Sequence, residues 1–303
     1  MSHYLVTGGA GFIGTNIVRE LLRRGHQVRS FDNYCAGQFE NRIQPGAEYL
    51  EGDIRKMDDL QKAMIGIDGV FHTAAVPRMP YSVEHPQETN ENNVTGTLNV
   101  LVAARDAKVK RMVYSASSSA YGDQKIFPFV ETMKPCPMSP YGLQKYIGEE
   151  YCRLFYELYG FETVSLRYFN VYGPFLDPKG AYALVIGKFL RQKNAGEPMT
   201  VCGDGEYYRD YTHVSDVVNA NILAMESSNV GHGEVLNAGN GHPHSVNELV
   251  KLIGGEFKFI DSRPGDPRKT EADSSLAKKL LGWEPKITLE QGVVDLKKEW
   301  GIE

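Results

Sequence analysis

The sequence predicts an α/β protein, a Rossmann-type doubly wound parallel sheet with a smaller mixed lobe in its C-terminal part. Three observations carry this expectation. Short apolar runs alternate with helix-spaced segments through the first half, a glycine-rich turn joins the first run to the first helix, and the alternation stops near residue 171.

The apolar runs are Tyr4–Thr7, Gln27–Phe31, Glu48–Glu51, Val70–Thr73, Arg111–Ser115 and Thr163–Arg167. Six short runs separated by helices suit strands covered on both faces. Helical spacing occurs in Gly11–Arg24, Met57–Met64, Gln87–Ala107 and Tyr141–Tyr159. The last is preceded by Ser139 and Pro140, a capping hydroxyl and a proline suited to the first helical position. Beyond Val171, Pro174, Pro178, Pro198 and the glycines of Cys202-Gly203-Asp204-Gly205 punctuate shorter elements. The expected division is therefore 1–170 and 171–303, with the chain free to cross between the lobes more than once.

The 303 residues are 42% hydrophobic and 23% charged, ordinary for a globular protein. A net charge of −5 leaves no global basic field for nucleic acid or an anionic membrane, so neither is an expected partner. An anionic ligand needs locally placed Arg, Lys and helix N-termini. Cys35, Cys136, Cys152 and Cys202 lie far apart without a Cys-x-x-Cys pair. That spacing fits neither a zinc site nor a disulfide scaffold, so reduced thiols and no metal are expected. No charged-then-apolar leader precedes Tyr4, and no apolar run is long enough to span a bilayer. A cytoplasmic location is expected.

Thr7-Gly8-Gly9-Ala10-Gly11-Phe12-Ile13-Gly14 follows the first strand and opens the first helix. Glycines allow the turn and a close approach to a pyrophosphate, and the helix start supplies free N–H groups and partial positive charge. The second strand ends in Phe31-Asp32, 18 residues beyond Gly14. A carboxylate there accepts both ribose hydroxyls and repels a 2′-phosphate, which points to NAD rather than NADP.

Tyr141 and Lys145 are four residues apart, on one face of the same helix. Alone, such a pair suits a packing or surface face. A free phenol, with pKa near 10, is a poor base, but a neighbouring ammonium and a cationic nicotinamide ring favour its phenolate. A third element joins the pair: Met112-Val113-Tyr114-Ser115-Ala116-Ser117-Ser118-Ser119 ends the fifth strand in hydroxyls, at the edge where such sheets place their chemistry.

With these motifs the chain resembles the extended short-chain dehydrogenase/reductase family, and within it the nucleotide-sugar 4-epimerases. The likeness runs through Gly8–Gly14, Asp32-Asn33, Gly52-Asp53-Ile54, His72-Thr73-Ala74-Ala75, Asn93-Val94-Thr95-Gly96-Thr97 and Tyr141/Lys145. It continues in Arg167-Tyr168-Phe169-Asn170, Gly203-Asp204-Gly205, Arg209-Asp210-Tyr211 and Arg263-Pro264-Gly265-Asp266. The resemblance implies that Phe12 and Ile13 donate backbone N–H groups to the pyrophosphate, that Asp53 and Ile54 flank the adenine, and that Ala74 and Ala75 line the crevice near Asn93. Gly8, Gly11, Gly14, Asp32, Asn33, Thr73 and Phe169 complete the implied cofactor set. Ser117 would bond the reacting sugar oxygen, Tyr141 would act as base and then acid, and Lys145 would hold the nicotinamide ribose. Ser118 and Ser119 would face the substrate, and Asn170, Arg209 and Arg263 would grip its diphosphate. A homodimer through Gln87–Ala107 and Tyr141–Tyr159 is implied as well.

The related dehydratases carry an Asp-Glu pair after the catalytic hydroxyl, and the decarboxylating relatives keep a Glu at the second position. Here both are serines, Ser118 and Ser119, which cannot exchange protons at neighbouring carbons. The resemblance therefore implies epimerisation at carbon 4 of a UDP-sugar. Thr270, small where epimerases of unacetylated hexoses carry a bulky aromatic, implies room for N-acetylhexosamines, as does Asp177–Ala183. Arg78 and Tyr81, after the fourth strand, match no family residue; contact with the sugar and capping of the loop are equal alternatives. Two other functions compete: a net oxidoreductase or dehydratase of a nucleotide sugar, and a non-catalytic NAD-binding regulator.

Overall fold

The computed structural model describes residues 1–77, 79–176, 185–261 and 267–302. Strands β1 (His3–Thr7), β2 (Gln27–Asp32), β3 (Glu48–Glu51), β4 (Gly69–His72), β5 (Arg111–Ser117) and β6 (Glu162–Tyr168) fall on the six expected runs. All pair in parallel, in the order β6-β5-β4-β1-β2-β3. The chain leaves β1 toward β2 and later returns to its other side as β4, so the crevice opens beyond the carboxyl ends of β1 and β4.

Neighbouring residues on a strand feed opposite layers. Val6, Phe71 and Val113 pack on one face with Ile17, Leu21, Val217 and Trp283. Leu5, Val70 and Met112 pack on the other with Leu101, Cys152 and Phe155. Period-two burial on two apolar faces is why these strands read as continuous apolar runs.

Helices α1 (Phe12–Arg23), α2 (Met57–Ala63), α3 (Met79–Glu84) and α4 (Pro86–Asn90) follow in order. The expected single helix over 87–107 is a helical run in three parts: α4, a π turn over Glu91–Gly96, and α5 (Thr97–Asp106). A widened turn re-aims the side chains it carries and is frequent at functional sites. Helix α6 (Pro140–Tyr159) starts as expected: Ser139 Oγ accepts from the Gly142 N–H at 3.1 Å, with Pro140 in the first turn.

The remaining elements are β7 (Val171–Tyr172), α7 (Val185–Asn194), β8 (Met199–Cys202), β9 (Tyr208–Asp210), β10 (Thr212–His213), α8 (Val214–Glu226), β11 (His232–Ala238), β12 (Pro243–Ser245), α9 (Val246–Ile253), β13 (Phe257–Ile260), α10 (Ser275–Leu281) and α11 (Leu289–Glu299). Strand β11 adds a seventh, parallel strand beside β6. It escapes a reading of apolar runs because Gly233, Glu234 and Asn237 interrupt it and it lies at the sheet's edge. The side chains of α8 and Trp283 return to the sheet core, whereas α7, β8, α9 and α11 build a separate core around Phe189, Leu249 and Val293. We propose a division on that basis, with 214–238 and 275–283 belonging to the sheet.

The four cysteines are free thiols. Among the described residues no helix is long and apolar enough to cross a membrane.

Candidate active site

The turn after β1 is closed by its own backbone. The Gly8 N–H donates to Phe31 O at 2.8 Å and the Gly11 N–H to Gly8 O at 3.0 Å. Gly8 adopts φ +70°, and a Cβ there would meet Ala74 Cα at 2.8 Å; a Cβ on Gly14 would collide with Gly8 O. The helix therefore runs against the turn, leaving the first-turn N–H groups of Phe12, Ile13 and Gly14 at the cavity without intrahelical acceptors. Asp32 supports the same turn. Its Oδ2 accepts from the Ala10 N–H at 3.0 Å and its Oδ1 from the Tyr34 N–H at 2.8 Å. Burial pushes its carboxyl up, against the pull of those two bonds. Each oxygen keeps a lone pair for a ribose hydroxyl.

A cavity of about 450 Å³ runs along the crevice. One end is lined by Asp32, Asn33 and Ile54, the middle by Gly8, Gly11–Gly14 and Thr73–Ala75, and the other end by Tyr141 and Lys145. Unhindered N–H groups, a carboxylate with lone pairs to spare and a cradle that a Cβ would fill suit a dinucleotide. Asp53 stands outside the lining: its Oδ1 accepts from Arg55 Nε at 3.0 Å, and Asn33 Nδ2 donates to its Oδ2 at 3.5 Å. Asn93 is also behind the wall, where the π turn aims it. Its Oδ1 accepts from the Val76 N–H at 2.8 Å, and its Nδ2 donates to Gln144 Oε1 at 2.8 Å. It fixes a cavity-lining loop to the helix that carries Tyr141. Phe169 is fully buried in an apolar cluster with Tyr121, Phe129 and Ala272.

At the Tyr141 end of the cavity Ser117 terminates β5 near the phenol, and its hydroxyl accepts from Ser119 Oγ at 2.8 Å. The Tyr141 N–H donates to Ser82 Oγ at 3.1 Å, so α3 holds the start of α6. Lys145 is buried, and its Nζ donates to Ser115 O at 2.7 Å. The expected lowering of the Tyr141 pKa depends on positive charge that includes the nicotinamide ring. In the polypeptide alone burial pushes the phenol up to about 12, with Ser117 drawing it the other way. Burial also pulls Lys145 down to about 8, with Glu149 the main opposing charge. The polypeptide alone thus holds Tyr141 as a neutral phenol, and positive charge must enter the cavity to make it a base.

On the lobe side Asn170 and Thr270 meet over Asp210. Asn170 Nδ2 donates to Asp210 O at 3.1 Å and to Thr270 Oγ1 at 3.3 Å, and the Asp210 N–H donates to Thr270 Oγ1 at 3.3 Å. The buried Asp210 carboxylate accepts the N–H groups of Asn240 at 2.7 Å, Gly241 at 2.8 Å and Ala272 at 2.9 Å. Arg209 follows on β9, its Nη1 donating to Tyr208 O at 3.0 Å. Ser117, Ser118, Ser119, Asn170, Arg209 and Thr270 are not in the cavity lining. Arg78, Arg263 and the segment 177–183 lie outside the described residues.

Sequence reasoning missed several lining residues. Arg42 reaches the cavity from the loop after β2 and donates to Phe175 O at 2.8 Å, a contact without local signal. Tyr81, left between two roles, lines the cavity with Glu88 and donates to its Oε2 at 2.8 Å.

The sequence pattern of the NAD dependent epimerase/dehydratase family matches residues 4–239. A UDP-glucose 4-epimerase of Mycolicibacterium smegmatis is 35% identical over 302 residues, 95% of this chain and 95% of that protein. Among solved structures, UDP-glucose 4-epimerase of Thermotoga maritima with UDP-glucose is 39% identical with a TM-score of 0.93, covering 99% of this chain and 98% of that one. UDP-N-acetylglucosamine 4-epimerase of Methanobrevibacter ruminantium, in complex with UDP-N-acetylmuramic acid, is 34% identical with a TM-score of 0.92, covering 99% and 98%.

Proposed function

From a chain that belongs to the NAD dependent epimerase/dehydratase family, we propose that Ser117, Tyr141 and Lys145 catalyse epimerisation at carbon 4 of a UDP-sugar. The enzyme is an NAD-dependent isomerase. The observation that carries the residue assignment is that Tyr141 and the buried Lys145 line one end of the cavity, with Ser117 at the end of β5 close to the Tyr141 phenol. Ser118 and Ser119 beside it offer no carboxyl for dehydration or decarboxylation.

Bound NAD supplies a hydride acceptor and donor at that end of the cavity. Tyr141 takes the proton of the carbon-4 hydroxyl as that carbon loses hydride, and returns it to the same oxygen when hydride comes back to the opposite face of the 4-keto sugar, while Ser117 bonds the oxygen in each step. Lys145 orients the nicotinamide ribose and favours the Tyr141 phenolate. Asp32 binds the adenosine ribose; Asp32→Ala is expected to narrow the preference for NAD over NADP, read as the ratio of the two dissociation constants. An unchanged ratio would remove Asp32 from that role.

The proposed substrates include UDP-N-acetylglucosamine and UDP-N-acetylgalactosamine, alone or with the unacetylated pair. Support comes from Thr270, a small side chain packed against Asn170. Exclusion by clash is the usual basis of such discrimination. Thr270→Tyr is expected to remove activity on acetylated sugars and largely spare UDP-glucose. The test is incubation of the purified protein with a panel of UDP-sugars and chromatographic separation of the products. Turnover of UDP-glucose with none of UDP-N-acetylglucosamine would end the size argument. Conversion of no UDP-sugar, or net consumption of NAD, would end the epimerase reading.

A further inference from the structure

Glu149 and Arg167 form an ion pair in the sheet's interior, 1% and 2% exposed. Arg167 Nε donates to Glu149 Oε1 at 3.0 Å and Nη2 to Oε2 at 2.7 Å. Two buried charges of this kind are rarely more stable than apolar side chains of the same volume, so stability alone does not account for them. Their surroundings suggest another reason. Glu149 stands one turn beyond Lys145 on α6, on the same helical face. Arg167 pairs in register with Ala116, next to Ser117. Its guanidinium lies over the Tyr121 ring, 4.4 Å from the centroid. Tyr121 closes the short turn that carries Ser118 and Ser119, its N–H donating to Ser118 O at 3.0 Å, and its hydroxyl donates to Asn237 Oδ1 at 2.7 Å. One ion pair thus touches both segments that meet at the Tyr141 phenol.

We infer that Glu149 is a positioning residue for the reaction: clamped by Arg167, it keeps a carboxylate one turn beyond Lys145 on the same face of α6 and, through Arg167 on Tyr121, sets the Ser117 turn beside Tyr141. The inference rests on the proposed roles of Ser117, Tyr141 and Lys145. Other groups facing Lys145 do not replace Glu149. Tyr141 and Cys152 on α6 and Tyr114 on β5 are neutral near pH 7, burial holding all three thiol and phenol groups up. His72 on β4 is pulled down to about 3 by burial and is neutral too. Arg167 on β6 sits behind the carboxylate and cannot favour an ammonium. Burial already draws Lys145 down to about 8, and the Glu149 charge is the main one opposing it. Without that carboxylate, Lys145 loses its proton at a lower pH, and activity that needs the ammonium falls away earlier on the alkaline side.

The test compares the NAD-loaded wild type with Glu149→Gln and with the double variant Glu149→Leu/Arg167→Met, which fills the space without charge. Turnover, the pH dependence of kcat, chemical unfolding and the NMR titration of the Lys145 side chain in the cofactor-free protein are measured on each. The double variant is expected to unfold near the wild-type midpoint yet turn over about 10- to 100-fold more slowly. Its alkaline limb and its Lys145 titration should both move down by about one pH unit. Glu149→Gln, where it folds, should show the same two shifts. Native turnover with an unmoved Lys145 titration in the double variant would overturn the inference, leaving the pair a packing feature. A failure of the wild type itself to interconvert any UDP-sugar is a separate result, which removes the catalytic reading first and this inference with it.

Discussion

Tyr141→Phe is expected to reduce turnover by about 10²- to 10⁴-fold, the range for loss of a general acid–base group. The substitution removes one oxygen and leaves the ring. The cap of α6 by Ser139 and the bond from the Tyr141 N–H to Ser82 involve other atoms, so fold and NAD affinity should stay near native. Rates at saturating UDP-sugar, with NAD binding measured calorimetrically on the same samples, check this. Near-native turnover would show that some other group moves the proton. The pH dependence carries further information. The phenol is pushed up to about 12 by burial, so the fully active enzyme requires positive charge near it, and kcat should rise with pH until Lys145 begins to lose its proton.

Asp210→Ala is expected to lower the unfolding free energy by about 3 kcal/mol or more, because three backbone N–H groups lose their acceptor and each orphaned buried group costs about 1–3 kcal/mol. The carboxylate gathers Asn240, Gly241 and Ala272 from two separate stretches of chain onto one side chain of β9. Asp210→Asn should recover only part of the loss, since its amide nitrogen turns a donor toward donors. Denaturant midpoints at constant slope measure both. Activity should fall further than stability, because Asn170 and Thr270 are both anchored on the Asp210 backbone. A midpoint within experimental error of the wild type would show that water satisfies these groups instead.

How much of this was legible in the sequence depended on how local the signal was. Most of the six strands were readable because both of their faces are apolar, whereas β3, an edge strand of Glu48-Tyr49-Leu50-Glu51, was placed by its position in the alternation. The seventh, β11, lies at an edge with Glu234 and Asn237 inside it, and only pairing with β6 reveals it. The cofactor turn, Asp32 and the Tyr141/Lys145 spacing were legible because each is set within one turn or one strand end. Asp210, Arg42 and the Asn93–Gln144 contact were not, since their partners lie far away in sequence. The electrostatics were the least legible of all. Spacing puts Lys145 near Tyr141, but the desolvation that dominates both groups comes from distant chain packed on α6, β5 among it.

The place of β11 also bears on how the chain reaches its fold during synthesis. Strand β6 is complete at residue 168, but its outer edge gains a neighbour only when residues 232–238 have been made. Until then a nascent chain displays a row of unpaired backbone donors and acceptors along an apolar strand, the kind of edge that captures another chain. On the ribosome, the interval between β6 and β11 is therefore a period of exposure to aggregation, and slowing translation there should lower soluble yield.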